Sequence, residues 1–110
     1  MSIRYSDYTM EQLREELGTL KEKAQKAEQL GELHKVTIYE RKMQIVASYM
    51  INPDQFNPGD IHHLNGDPGY TFKINYINGV MAWGHRINLL DEMRVEEEAL
   101  PISLLGEKKD

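Results

Sequence analysis

The stretch Tyr70-Thr71-Phe72-Lys73-Ile74-Asn75-Tyr76-Ile77-Asn78-Gly79-Val80-Met81-Ala82-Trp83-Gly84-His85-Arg86-Ile87 decides the fold. Two runs rich in β-branched and aromatic residues alternate in polarity on either side of Asn78-Gly79, the preferred pair for a two-residue hairpin turn. A turn at that pair sets Ile77 opposite Val80, Tyr76 opposite Met81, Ile74 opposite Trp83, Phe72 opposite His85 and Tyr70 opposite Ile87. The last four pairs share one largely apolar face, which the pattern assigns to the core. Thr71, Lys73, Asn75, Ala82, Gly84 and Arg86 fall on the other face.

A two-stranded ribbon is not stable alone in water, so the flanking sequence must complete a sheet. Upstream, Pro58-Gly59 suits the centre of a type II turn, proline fixing φ and glycine accepting a positive one. It leads into a short strand at Ile61–Leu64, which Asn65-Gly66-Asp67-Pro68-Gly69 ends. Downstream, Leu100-Pro101-Ile102-Ser103-Leu104-Leu105 reads as a closing strand or turn that covers a sheet edge. Short strands and tight turns of this kind predict a small SH3-like β-barrel over residues 59–106, with a tail at 107–110.

The first half has a different period. Thr9-Met10-Glu11-Gln12 forms a capping box, and Leu13, Leu17, Leu20, Ala24 and Ala27 then recur on one helical stripe. Gly31 offers the left-handed conformation that ends a helix. A second helix carries Leu33, Val36, Tyr39, Met43, Val46 and Met50 and stops near Asn52, because Pro53 disfavours helical geometry before it. The expectation is an antiparallel helical hairpin at 9–51, preceded by a segment at 1–8 and followed by a linker at 52–58. The fold class is therefore α+β.

Composition bounds the function. The chain has 110 residues, 40% of them hydrophobic, and no cysteine, which removes disulfide frameworks, zinc fingers and thiol nucleophiles. Its net charge of −5 lies wholly in residues 52–110, and the helical half is neutral. Nucleic-acid binding usually shows as a basic domain, and neither half is one. No long apolar run and no leader pattern stands out, so the expectation is a cytoplasmic protein with no membrane association.

Catalytic and metal-binding patterns are missing. Gly79 to Gly84 has the spacing of a phosphate loop, but His85-Arg86 follows where Lys-Ser/Thr is needed, on a strand rather than a helix. His62 and His63 are adjacent on a strand, so they point to opposite faces and cannot easily share an ion with His85. Ser2, Ser6, Ser48 and Ser103 lie in no nucleophile motif. Glu96-Glu97-Glu98 reads as a solvated run, and Asp54–Asp60 breaks the calcium-loop pattern at Phe56. No enzyme activity, cofactor or metal is expected.

Arg4-Tyr5-Ser6, Lys23-Ala24-Gln25-Lys26-Ala27-Glu28-Gln29, Glu40-Arg41-Lys42, Asn52-Pro53, Pro58-Gly59, Tyr76–Val80, Ala82-Trp83-Gly84 and Glu98–Leu105 together resemble the YfhH family of small proteins from Bacillus-type bacteria. The resemblance runs over nearly the whole chain. It implies a helical hairpin followed by an SH3-like barrel, and on function only a transcriptional-regulator label; it supplies no catalytic or binding residues. Leu89-Leu90 and Met93–Glu97 form a longer loop than the family pattern has.

One patch remains as a candidate site. In the register above Lys73 and Arg86 are diagonal neighbours on the outer face, with Asn75, His62 and His63 nearby and Gly84 leaving room between them. Lys21, Lys23, Lys26, Lys35, Arg41 and Lys42 form a second, diluted basic zone near the hairpin tip. The leading expectation is a non-enzymatic interaction module that binds protein or itself, as a homodimer. The alternative is a nucleic-acid-binding regulator using the Lys73–Arg86 patch.

Overall fold

The computed structural model describes residues 4–109; Ser2 and the tail end at Asp110 lie outside the described residues. The chain divides between Ile51 and Asn52 into two compact units.

The first unit is a helical hairpin. A 3-10 turn, Tyr5–Asp7, precedes α1 (Met10–Gln29) and α2 (Leu33–Ser48). The Thr9 hydroxyl accepts from the Gln12 amide at 3.1 Å, and the Gln12 side chain accepts from the Thr9 amide at 2.9 Å, so two orphan donors are satisfied reciprocally. At the other end Gly31 takes φ +73°. The Glu32 amide then donates to the Ala27 carbonyl and the Gly31 amide to the Glu28 carbonyl, a Schellman motif that turns the chain in two residues. Leu13, Leu20, Ala24 and Ala27 of α1 are buried as the stripe predicts. Leu13, Leu20 and Val46 form a cluster with Leu17, Tyr39 and Met43 packed against it.

Two details differ from expectation. Leu33 is 70% exposed, because the second helix begins at the hairpin tip beyond the reach of the α1 stripe. Helix α2 ends at Ser48, whose hydroxyl donates back to the Gln44 carbonyl at 2.7 Å, and a turn rather than helix carries the chain towards Asn52. The N-terminal segment also contributes to packing: Tyr5 meets Tyr8 edge-on at 5.2 Å and Tyr49 at 6.1 Å. Burial, followed by the negative charge of Glu16, pushes the Tyr5 hydroxyl pKa up.

The second unit is an antiparallel sheet of β1 (Ile61–Leu64), β2 (Tyr70–Asn78), β3 (Met81–Asn88), β4 (Glu98–Pro101) and β5 (Leu105–Lys108), in the order β4-β3-β2-β1-β5. The Pro58-Gly59 turn forms as expected, with Gly59 at φ +89° and the Asp60 amide donating to the Asn57 carbonyl. The 100–105 segment is both strand and turn: β4 ends at Pro101, a 3-10 turn covers Ile102–Leu104, and β5 follows. The α+β expectation holds. The barrel does not close by a ladder, since β4 and β5 stand at opposite edges of an open five-stranded sheet.

The central hairpin corrects the predicted register. Asn78 pairs with Met81, so the turn residues are Gly79-Val80, and Gly79 alone of the two takes positive φ (+62°). That is the glycine-first pattern of a type II′ turn. A bulge between Ile74 and Tyr76 shifts the ladder once more, so Ile74 pairs with Gly84, Lys73 with His85 and Phe72 with Arg86. Phe72, Ile74, Ala82 and Ile102 are fully buried, and Leu64, Leu100 and Leu105 are nearly so. Trp83, expected in that core, pairs with Tyr76 on the opposite face and is only half-buried.

Candidate interaction surface

The bulge at Asn75 builds the outer face. Two residues of β2 there oppose one of β3, which brings Tyr76 level with Trp83. Their rings stack 5.9 Å apart at an interplanar angle of 7°, and Tyr76 remains 44% exposed. Met81, Ala99 and Pro101 continue the same face through the β3–β4 register. Lys73 and His85 flank it on the other side of the bulge. The Asn75 amide donates to a Glu97 carboxylate oxygen at 2.7 Å, tying the acidic run to the edge of the strip. His85 Nδ1 lies 3.1 Å from the Glu96 carbonyl, so its N–H donates there.

The predicted patch is not assembled as expected. The shifted register sends Lys73 and Arg86, successive in parity but on different strands, to opposite faces. Arg86 caps one end of the core face, where its Nε donates to Glu98 at 2.7 Å and its Nη1 to Asp67. Its guanidinium carbon sits 5.6 Å from the Tyr70 ring centroid, and that of Arg94 sits 4.7 Å away on the same ring. A charge held by two carboxylates has little left for a phosphate. His62 is buried on the core side against Phe56, with Nδ1 2.9 Å from the Gly106 carbonyl and Nε2 unpartnered. His63 is exposed and pairs with Thr71 on the outer side, next to the Ile61–Lys73 pair. Asn75, Lys73 and His63 thus share the outer face, and Arg86 and His62 do not.

The remaining cations of this unit are also engaged. Lys108 lies 3.3 Å from Asp60, and Lys109 lies 3.9 Å from Asp91. Burial opposes ionisation of Asp60, but the hydrogen bonds from Lys108 and the Asn57 amide outweigh it and hold the carboxyl below its usual range. Among the described residues Lys73 alone of this unit's cations has no ion pair or ring contact. No three His, Asp or Glu side chains converge to hold a metal among the described residues. No helix among them is long and apolar enough to cross a membrane.

Residues 3–106 match the family model described as "Protein of unknown function (DUF1811)". The chain belongs to the DUF1811 family. It is 40% identical over 109 residues to a protein of Bacillus subtilis (strain 168) named "Uncharacterized protein YfhH", an alignment that covers 99% of this chain and 100% of the relative. The resemblance read from the sequence is thereby confirmed. For this DUF1811 chain, the stacked Tyr76–Trp83 pair is the surface feature that sequence reasoning missed. Two signals pointed to it: a polar Asn75 inside an apolar strand, as at a bulge, and the small Ala82 and Gly84, which fit opposite bulky Ile77 and Ile74.

Proposed function

We propose that this chain is a non-enzymatic, cytoplasmic protein-binding module whose sheet unit docks a partner polypeptide over the Tyr76–Trp83 strip. One observation carries the reading: a stacked, solvent-accessible aromatic pair on the outer sheet face of a unit that commits all its described cations but Lys73 internally. Tyr and Trp dominate protein interface hot spots because they bury large area at low entropic cost. A polar rim of Lys73 and the Asn75–Glu97 pair supplies orientation around that apolar centre. The non-enzymatic reading is supported by the aromatic strip itself, which offers apolar contact area and no nucleophile paired with a base.

The strand pair β4 and β5 is one segment interrupted by a three-residue 3-10 turn, yet its halves lie at the two edges of the sheet. Such a short link favours a sheet curled until its edges approach, which is the partly open SH3-like arrangement.

A nucleic-acid reading would use the same face, because bases also stack on aromatic rings beside a cation. With Lys73 as its one free charge, log K would fall against log salt with a slope of only about −1 on duplex DNA. That is too little phosphate affinity to overcome the surrounding carboxylates, so protein is favoured. The test compares partner capture from native lysate by the full chain and by its Tyr76→Ser variant. A polypeptide retained by the parent and lost with the variant supports the proposal; equal retention by both overturns it.

A further inference from the structure

The loop between β3 and β4 is built rather than slack. The Asn88 side-chain oxygen accepts from the amides of Leu90 and Glu92 at 2.9 and 3.0 Å, and the Asn88 amide donates to the Glu92 carbonyl. Asp91 adopts φ +62° at its turn, and the Arg94 side chain donates to the Tyr70 hydroxyl at 2.8 Å. What this framework holds up is apolar. Leu89 is 80% exposed and Leu90 79% exposed, with Met93 and Val95 exposed behind them. An apolar tip held in one conformation has already lost the entropy that docking would otherwise cost.

The flanks of the tip define what it fits. Glu92 adjoins the leucines beside Asp91, which lies 3.9 Å from Lys109, and Glu96 and Glu97 follow. An anionic lipid surface would repel these carboxylates, whereas an apolar hollow rimmed by cations would attract them. The same chain carries such a hollow at the helical hairpin tip. It measures about 190 Å³ and is lined by the apolar Ala27, Leu30 and Tyr39, by Lys23, Lys26 and Lys35, and by one carboxylate, Glu32. Lys35 shares its charge with Glu32, its hydrogen-bond partner. Leu30 is 64% exposed, so the hollow is open to a visitor.

We propose that the chain self-associates head to tail, the Leu89-Leu90 tip of one copy seating in the hairpin-tip hollow of a second. Apolar surface meets apolar surface, and the acidic flank of the loop meets the lysine rim. This inference rests on the binding-module reading but uses neither Tyr76 nor Trp83, so the two can fail separately.

The experiment is sedimentation equilibrium of the full chain up to millimolar concentration. The parent chain associates, and added salt weakens the association by screening the rim. Leu89→Ser with Leu90→Ser weakens it about a hundredfold or more, because two leucines no longer leave water. Lys23→Glu with Lys26→Glu weakens it at least about tenfold through like-charge contact. Both variants alter exposed side chains, and unchanged melting curves show that they fold. The decisive arm mixes the two variants. Each retains the half the other lacks, so the mixture forms one-to-one dimers although each alone is monomeric. A monomeric parent at the highest concentration overturns the proposal, as does a mixture that stays monomeric.

Discussion

Placing an alanine at Gly84 tests the corrected register and has a large expected cost. A Cβ there would lie 1.9 Å from the Lys73 carbonyl oxygen, 2.9 Å from its carbon and 3.0 Å from Phe72 Cε2. Ordinary contact begins near 3.4 Å, so backbone, not a flexible side-chain end, must move by about 1.5 Å. Strands β2 and β3 are both interior to the sheet, and separating them strains the ladder on each side. Overpacking of this kind costs about 1–3 kcal/mol, and each weakened ladder hydrogen bond adds about 1 kcal/mol. Gly84→Ala is therefore expected to destabilise the sheet unit by about 3–5 kcal/mol, or about 12 °C or more in melting temperature for a unit of this size. Urea unfolding followed at Trp83, the chain's single tryptophan, reads that unit directly. Without the bulge at Asn75, Gly84 would sit on the open face and alanine would be tolerated. A loss below about 1 kcal/mol would refute the close approach on which the outer face depends.

Four further outcomes are expected. Gly18 lies exposed in α1 with open space where a Cβ would go, so Gly18→Ala stabilises the hairpin by about 0.5–1 kcal/mol by circular dichroism melting. Thr9→Ala removes the capping-box oxygen and costs about 1 kcal/mol in the same assay. Trp83→Ala, stacked on Tyr76 rather than buried in the core, costs about 1–3 kcal/mol in urea titration followed by circular dichroism, less than the 3–5 kcal/mol typical of a core aromatic. The Asp60 carboxyl is held below its unfolded value, so its contribution is fully present above the ordinary carboxylate range and is lost as pH falls through and below that range. Melting temperature against pH checks this: Asp60→Asn flattens the acid limb, and an unchanged limb contradicts the assignment.

Most of the architecture was legible in local signals. The capping box, the Gly31 stop and the α1 stripe each have one physical solution, and each forms. Pro58-Gly59 and the Gly79 turn were readable for the same reason: positive φ is cheap for glycine alone. The outer face was misread despite those signals, because it depends on pairing register. Asn78-Gly79 and Gly79-Val80 differ by one residue in turn placement, and the Asn75 bulge adds another offset. Moving the turn by one residue changes each partner by two and keeps the faces, whereas the bulge changes it by one and exchanges the β3 residues that share a face with Phe72 and Ile74. That parity moved Trp83 out of the core, put Arg86 beside Asp67 and Glu98, and left Lys73 without the neighbour expected for it. The exposure of Leu89 and Leu90 was also out of reach, since it follows from the Asn88 hydrogen bonds rather than from any periodicity.

The outer sheet face is proposed to bind protein and not nucleic acid. The most direct measurement captures native lysate on the immobilised full chain, in nuclease-treated and untreated halves, with Tyr76→Ser in parallel. The expected result is a polypeptide retained in both halves and lost with Tyr76→Ser. Nucleic acid that co-purifies without nuclease, together with loss of every retained polypeptide after nuclease, would contradict it.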